Sequence, residues 1–308
     1  MAWRLTGSVG DKSTNNGKDV KLVKALLNVY FRSTKQAELK INTTVDKATI
    51  AAINTFQSNY EKVKKTDGKV NKSGNTFKAL SACLKKQLGG KKAITTPTEG
   101  SITWKAEGKE GGRYHSRTLH VPTSLSGLTL GRGYDMKTKS AAKILKELIK
   151  AGVLSKYAKI IKNAAKKKGA AATQFIIDND LLDFQISPKV QLALYKISFA
   201  EITKDAKWRC EKSPQAKPYG TCEWSKLDYR IREVIVDLRY RGDYKSSTMK
   251  HIQAHIVNND FAKFKAAMLK SANWSGVPAT RFSLRVDYLK NAKAPAKPKS
   301  AVKSKAKP

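Results

Sequence analysis

The decapeptide Ser126-Gly127-Leu128-Thr129-Leu130-Gly131-Arg132-Gly133-Tyr134-Asp135 constrains the fold of this chain more than any other stretch. Leu128 and Leu130 alternate with Thr129, the period of a short strand that buries its leucines and turns Thr129 to the other face. Gly131, Gly133 and Asp135 share the parity of Thr129, and a straight strand would hold Asp135 roughly 20 Å away from it. The two glycines instead predict a turn at 131–133, where positive φ is allowed and the backbone can approach other groups closely.

Composition changes twice along the chain. Residues 89–103, GGKKAITTPTEGSIT, read as a linker rich in Gly, Thr and Pro. From Asn291, NAKAPAKPKSAVKSKAKP lacks acids and aromatics and reads as a disordered cationic tail. These breaks leave an N-terminal segment, 1–88, and a larger one, 104–290. Within the first, Val20, Val23, Leu27 and Tyr30 predict one helix. Ile50, Ile53, Phe56 and Tyr60 predict a second, and Phe77, Leu80 and Leu84 a third, with Asp67-Gly68 as the turn between them. Cys83 beside the third apolar face reads as a small buried hydrophobe.

The ordered blocks SVG, DVKLVKALLN, TTVDKATIAAINTFQSNY and KTDGKVNKSGNTFKAL resemble the three-helix peptidoglycan-binding domain of cell-wall hydrolases. The resemblance implies that polar residues such as Asn54, Gln57, Asp67 and Asn75 contact the wall polymer.

Upstream of the hairpin, Glu107 ends a short amphipathic piece containing Ile102 and Trp104, closed by Gly108. A carboxyl there, followed by a glycine-rich hairpin carrying Thr and Asp, suits cleavage of a glycosidic bond. Such cleavage needs an acid on the leaving oxygen and a second group on the opposite face. Shielding by Trp104 would favour the protonated acid, and a polar hairpin the ionised Asp135.

Glu-Gly, an interval containing His-x-Pro, and then SGLTLGRGYDM resemble the pesticin-like muramidase domains of phage endolysins and antibacterial effectors, a branch of the phage T4 lysozyme superfamily. The intervals, 22 residues from Glu107 to Thr129 and six from Thr129 to Asp135, suit that branch. The resemblance implies Glu107 as general acid, Thr129 as positioner of the attacking water, and Asp135 as the carboxylate that activates it or stabilises the developing cation. His120, Arg132 and Tyr134 would flank the sugar. Other readings stay open: Glu110 as the acid, Thr129 as a plain β-former, Asp135 as a cap for the next helix, and His115 and His120 as structural. REVIVDLRYRGDY and WSGVPATRFSLRVDYLKN resemble closing helices of lysozyme-like domains, and Ser187-Pro188 reads as a helix start. The expected fold is mainly α: a three-helix peptidoglycan-binding bundle plus an α+β lysozyme-like domain with a small hairpin sheet.

The chain carries 61 Lys and Arg against 24 Asp and Glu, a net charge of +37. Such a chain suits polyanionic surroundings, whether nucleic acid, lipopolysaccharide or the bacterial envelope. No apolar run reaches membrane-span length and the opening MAWRLTGSVGDKS has no signal-peptide core. The expected enzyme is therefore made in the bacterial cytoplasm and acts in the periplasm, released as a phage endolysin or injected as an effector. Expected partners are peptidoglycan and, through the tail, an anionic outer membrane or lipopolysaccharide. No cofactor, metal or specific nucleic acid is expected, and the chain reads as a monomer. Cys210 and Cys222 bracket a Pro/Gly loop and read equally as a disulfide or as reduced thiols. The competing classes are a non-enzymatic polycationic nucleic-acid or envelope binder, and a bacteriocin.

Overall fold

The computed structural model describes residues 3–88, 96–110 and 116–293. His115, the first part of the expected linker and the tail from residue 294 lie outside the described residues. The backbone is mainly helical with two small antiparallel sheets. In chain order come β1 (Val9–Gly10), α1 (Gly17–Ser33), α2 (Lys47–Asn59), β2 (Lys69–Val70), α3 (Asn75–Gln87) and α4 (Ser101–Ala106). The hairpin β3 (Thr129–Leu130) and β4 (Tyr134–Asp135) leads into α5 (Ala141–Ala151), α6 (Ser155–Ile161), α7 (Gly169–Asp178) and α8 (Pro188–Lys212). The remaining helices are α9 (Tyr229–Arg241), α10 (Ser246–Val257), α11 (Phe261–Leu269) and α12 (Ala279–Asn291). Among the described residues no helix is long and apolar enough to cross a membrane.

Contacts group the described residues of 1–95 and 107–198 into one compact unit, and those of 96–106 and 199–308 into another. This differs from the partition at 88 and 104 suggested by composition, and the reason lies in α1. Its expected face, Val20, Val23, Leu27 and Tyr30, is buried, but so are Leu22, Leu26 and Val29 on the rest of its circumference. Lys24 and Asn28 on its polar side are buried as well, so most of its circumference is covered. One face of α1 meets α2 and α3, and α1 also contacts α7. A single apolar cluster consequently runs from Leu5 to Leu84 and on through Leu128, Leu130, Ile144 and Leu148 to Leu194.

Charged side chains reinforce that junction. The Arg32 guanidinium pairs with Asp180 at 2.7 Å and Asp183 at 2.8 Å, and Lys21 pairs with Asp178 at 2.8 Å. Asn28 adds a hydrogen bond to Asp180 at 2.9 Å. Within the bundle, Asp46 accepts from the Thr49 N–H at 2.8 Å, a capping box that starts α2.

In the second unit, residues 101–103 are the first turn of α4, so this part of the expected linker is ordered helix with Ile102 and Thr103 buried. Composition alone hid the anchors of α4, the buried side chains of Ile102 and Trp104 and the Thr103 hydroxyl, which donates to Asp237 at 2.9 Å. The closing R-x-x-x-R spacing places Arg281 and Arg285 on one face of α12, where both meet fully buried Asp237 at 2.6 and 2.7 Å. Burial works against the Asp237 charge, but the two guanidiniums outweigh it and hold the carboxyl below its usual range. Cys210 and Cys222 form a disulfide, with Cα atoms 6.0 Å apart. Cys83 is free and buried. At the start of α8, Pro188 occupies the first helical position and the Ser187 hydroxyl accepts from Val190 N–H at 3.3 Å.

Candidate functional site

The chain turns at 131–133 as the glycines require, with φ of +63° at Gly131 and +80° at Gly133. β3 and β4 pair so that Thr129 stands directly opposite Asp135. On the other side of Thr129 lies His120, whose backbone exchanges two hydrogen bonds with it, 2.8 and 3.0 Å long. Directly opposed residues of antiparallel strands project to the same face. His120, Thr129 and Asp135 therefore form a row across three chain segments, with neighbouring Cα atoms about 5 Å apart.

Gly127 organises this row. Its N–H donates to both Asp135 oxygens, at 3.2 and 3.3 Å, and its carbonyl accepts from the Thr129 hydroxyl at 3.2 Å. A Cβ at this position would stand 2.4 Å from Asp135 Oδ1 and 2.6 Å from Lys137 N. Only glycine allows the approach. Asp135 also accepts from Lys137 N–H at 2.8 Å, with the Lys137 ammonium 3.7 Å away. It does not cap α5, whose start is held by the Ser140 hydroxyl accepting from Lys143 N–H.

Glu107 is half-buried directly after α4. The next residue, Gly108, gives its carbonyl to Arg132 Nη1 at 2.8 Å, so the hairpin turn grips the chain beside Glu107. Arg132 is buried; burial depresses its guanidinium pKa while the Glu110 carboxylate opposes the shift. Glu110 accepts from Arg117 Nε at 2.8 Å, Gln191 Nε2 at 3.0 Å and Arg132 at 3.4 Å. Those bonds make Glu110 the knot of a local bracket, which Ser116 joins by accepting from Gln191 at 2.7 Å. Tyr134 is 1 % exposed and donates to Glu147 at 2.7 Å beneath the Lys139 ammonium.

In the N-terminal bundle, buried Gln57 turns inward. Its amide donates to Asp67, the Lys69 carbonyl and Thr76, and its oxygen accepts from the N–H groups of Asp67 and Gly68. Gln57 thus holds the Asp67-Gly68 turn that lets β1 pair with β2. Half-buried Asn54 lies beside Gly68, its Oδ1 enclosed without a hydrogen-bond partner. A separate cavity of about 580 Å³ is lined by Arg32, Tyr157, Asp183, Phe184 and Ser187, and not by Glu107, Thr129 or Asp135. The concentration of polar side chains, rather than concavity, marks the hairpin as the candidate site.

The structure thus brings together Thr129, Asp135 and His120, and ties the residue after Glu107 to the same hairpin. It places Arg132 and Tyr134 in buried brackets, and Asn54 and Gln57 in a different part of the same unit. The role of Gly127 went unread in the sequence, although a glycine immediately before an apolar strand marks such a close approach. No curated protein matches the chain. Residues 100–286, more than half of the chain, match the family model described as domain of unknown function DUF8812, and the protein belongs to that family.

Proposed function

We propose that this protein is a peptidoglycan hydrolase that cleaves the β-1,4 bond between N-acetylmuramic acid and N-acetylglucosamine. The observation that carries the reading is the register of the hairpin, which sets Thr129 and Asp135 opposite each other on the Gly127 peptide. In this reading Glu107 protonates the leaving oxygen. Thr129 positions the attacking water, and Asp135 activates it or stabilises positive charge on the sugar. The Arg132 bond to the Gly108 carbonyl fixes the chain that carries the acid. Residues 3–88 supply the wall-binding module, with α1, α2 and α3 as its bundle, and the +37 charge favours residence on an anionic envelope. Action in the periplasm follows from the substrate.

The test is clearing of purified sacculi by wild type and Glu107→Gln. Loss of the acid is expected to lower the rate by about 10²–10⁴-fold. The wild-type muropeptides should carry muramic acid at their new reducing ends. Undiminished clearing by Glu107→Gln would overturn the assignment of the acid, and glucosamine ends would overturn the bond.

A further inference from the structure

The second unit contains a cavity of about 420 Å³ that the proposed hydrolase chemistry does not use. Phe199, Trp224, Tyr229 and Tyr288 line it together with Glu99 and Glu233. In a chain of +37, a cavity combining aromatic rings with two carboxylates is the reverse of the general surface.

Glu233 is the most informative member. It is only 8 % exposed, and its oxygens accept from Gly100 N–H at 2.8 Å, Ser101 Oγ at 3.4 Å and Ile102 N–H at 3.5 Å. These donors belong to the start of α4 and carry no full charge. Among the described residues Glu233 makes no ion pair, whereas Asp237, one helical turn away, is matched by both Arg281 and Arg285. Arg232 also lines the cavity, and its field acts on Asp228. Burial raises the Glu233 pKa, and nearby Asp237 adds to the rise against the backbone bonds. A buried carboxylate without a counter-charge is costly. Four of the lining residues are aromatic, and the face of an aromatic ring carries the negative pole of its quadrupole, which attracts a cation.

We propose that this cavity binds an alkylammonium group, with the aromatic rings as its walls and Glu233 and Glu99 as its counter-charge. The site is separate from the Glu107 hairpin and does not depend on the hydrolase reading. Tyr229 donates to the Lys293 carbonyl at 2.7 Å, at the end of the described chain. The lysine-rich residues 294–308 follow directly, so the ammonium has two sources, an outside ligand or the chain itself.

The experiment titrates the full chain with tetramethylammonium chloride by calorimetry, against sodium chloride at equal ionic strength and against N-acetylglucosamine. Saturable binding is expected with a dissociation constant of about 1 mM. Glu233→Gln and Tyr229→Leu should each weaken it about tenfold. Tyr229 is 39 % exposed, so its variant tests the cavity even if Glu233→Gln disturbs α4. Tighter binding after deletion of 294–308 would identify the chain's own lysines as occupant, and unchanged binding an outside ligand. No saturable binding, no loss in Tyr229→Leu, or preference for N-acetylglucosamine would overturn the proposal.

Discussion

The two small sheets use the same local device and escort it differently. In each, an aspartate accepts from the N–H two residues on: Asp67 from Lys69 at 3.0 Å beside β2, and Asp135 from Lys137 at 2.8 Å at the end of β4. Asp67 takes its second bond from the Gln57 side chain at 2.6 Å, and the Gln57 oxygen accepts from the Asp67 and Gly68 N–H groups of that turn. Asp135 takes its further bonds from the backbone of Gly127. The first sheet is a latch closed by a buried side chain. The second is fixed by main chain, which orients Asp135 and Thr129 without burying another polar side chain between them. The two residues differ in exposure: Thr129 is buried, whereas the Asp135 side chain is 28 % exposed.

The sharpest way to break this contrast is Gly127→Ala. Its Cβ would displace Asp135, and we expect the rate on sacculi to fall about a hundredfold while cooperative melting persists. Unchanged clearing would show that Gly127 organises no catalytic group. Gln57→Leu should act oppositely, lowering stability by about 2 kcal/mol through the unpaired groups of the turn. It should leave the rate on soluble glycan fragments unaltered, which thermal melting and reducing-sugar release would check together. Gly68→Ala is milder: φ is +65° and the new Cβ would lie 3.0 Å from the Ile50 methyl. We expect a loss of about 1–2 kcal/mol.

The smallest effect concerns pH. Burial works against the Asp67 charge, but the bonds from Gln57 and Lys69 hold its pKa below the ordinary 3.8. Because the folded value is the lower one, this stabilisation is fully present above pH 3.8 and disappears as pH falls through the folded value. Melting temperatures of wild type and Asp67→Asn should therefore differ at neutral pH and converge in acid. A constant gap would mean that the hydrogen bonds do not depend on the charge.

Local features were the legible ones. The 3.6-residue period located α1, α2 and α3, and Gly131 with Gly133 located the turn at the candidate site, because each signal lies within one element. The i,i+4 pair Arg281 and Arg285 was visible as one helix face, but its acceptor Asp237 stands 44 and 48 residues earlier. The Arg32 partners lie 148 and 151 residues away. Such pairings leave no local pattern. One local signal does exist: Lys21, Lys24, Asn28 and Arg32 recur at helical spacing on one side of α1, and Lys21, Asn28 and Arg32 on that side meet Asp178, Asp180 and Asp183, so α1 is covered on more than one side.

If the proposed function holds, that coverage changes how a wall-binding bundle would act. A module on a loose tether raises local enzyme concentration and lets the catalytic part search a volume set by tether length. Here the Arg32 clasp and the continuous apolar core join the bundle to residues 107–198 as a single body. Under the proposed function, the distance between the anchoring point and the attacked bond is then a fixed length rather than a distribution.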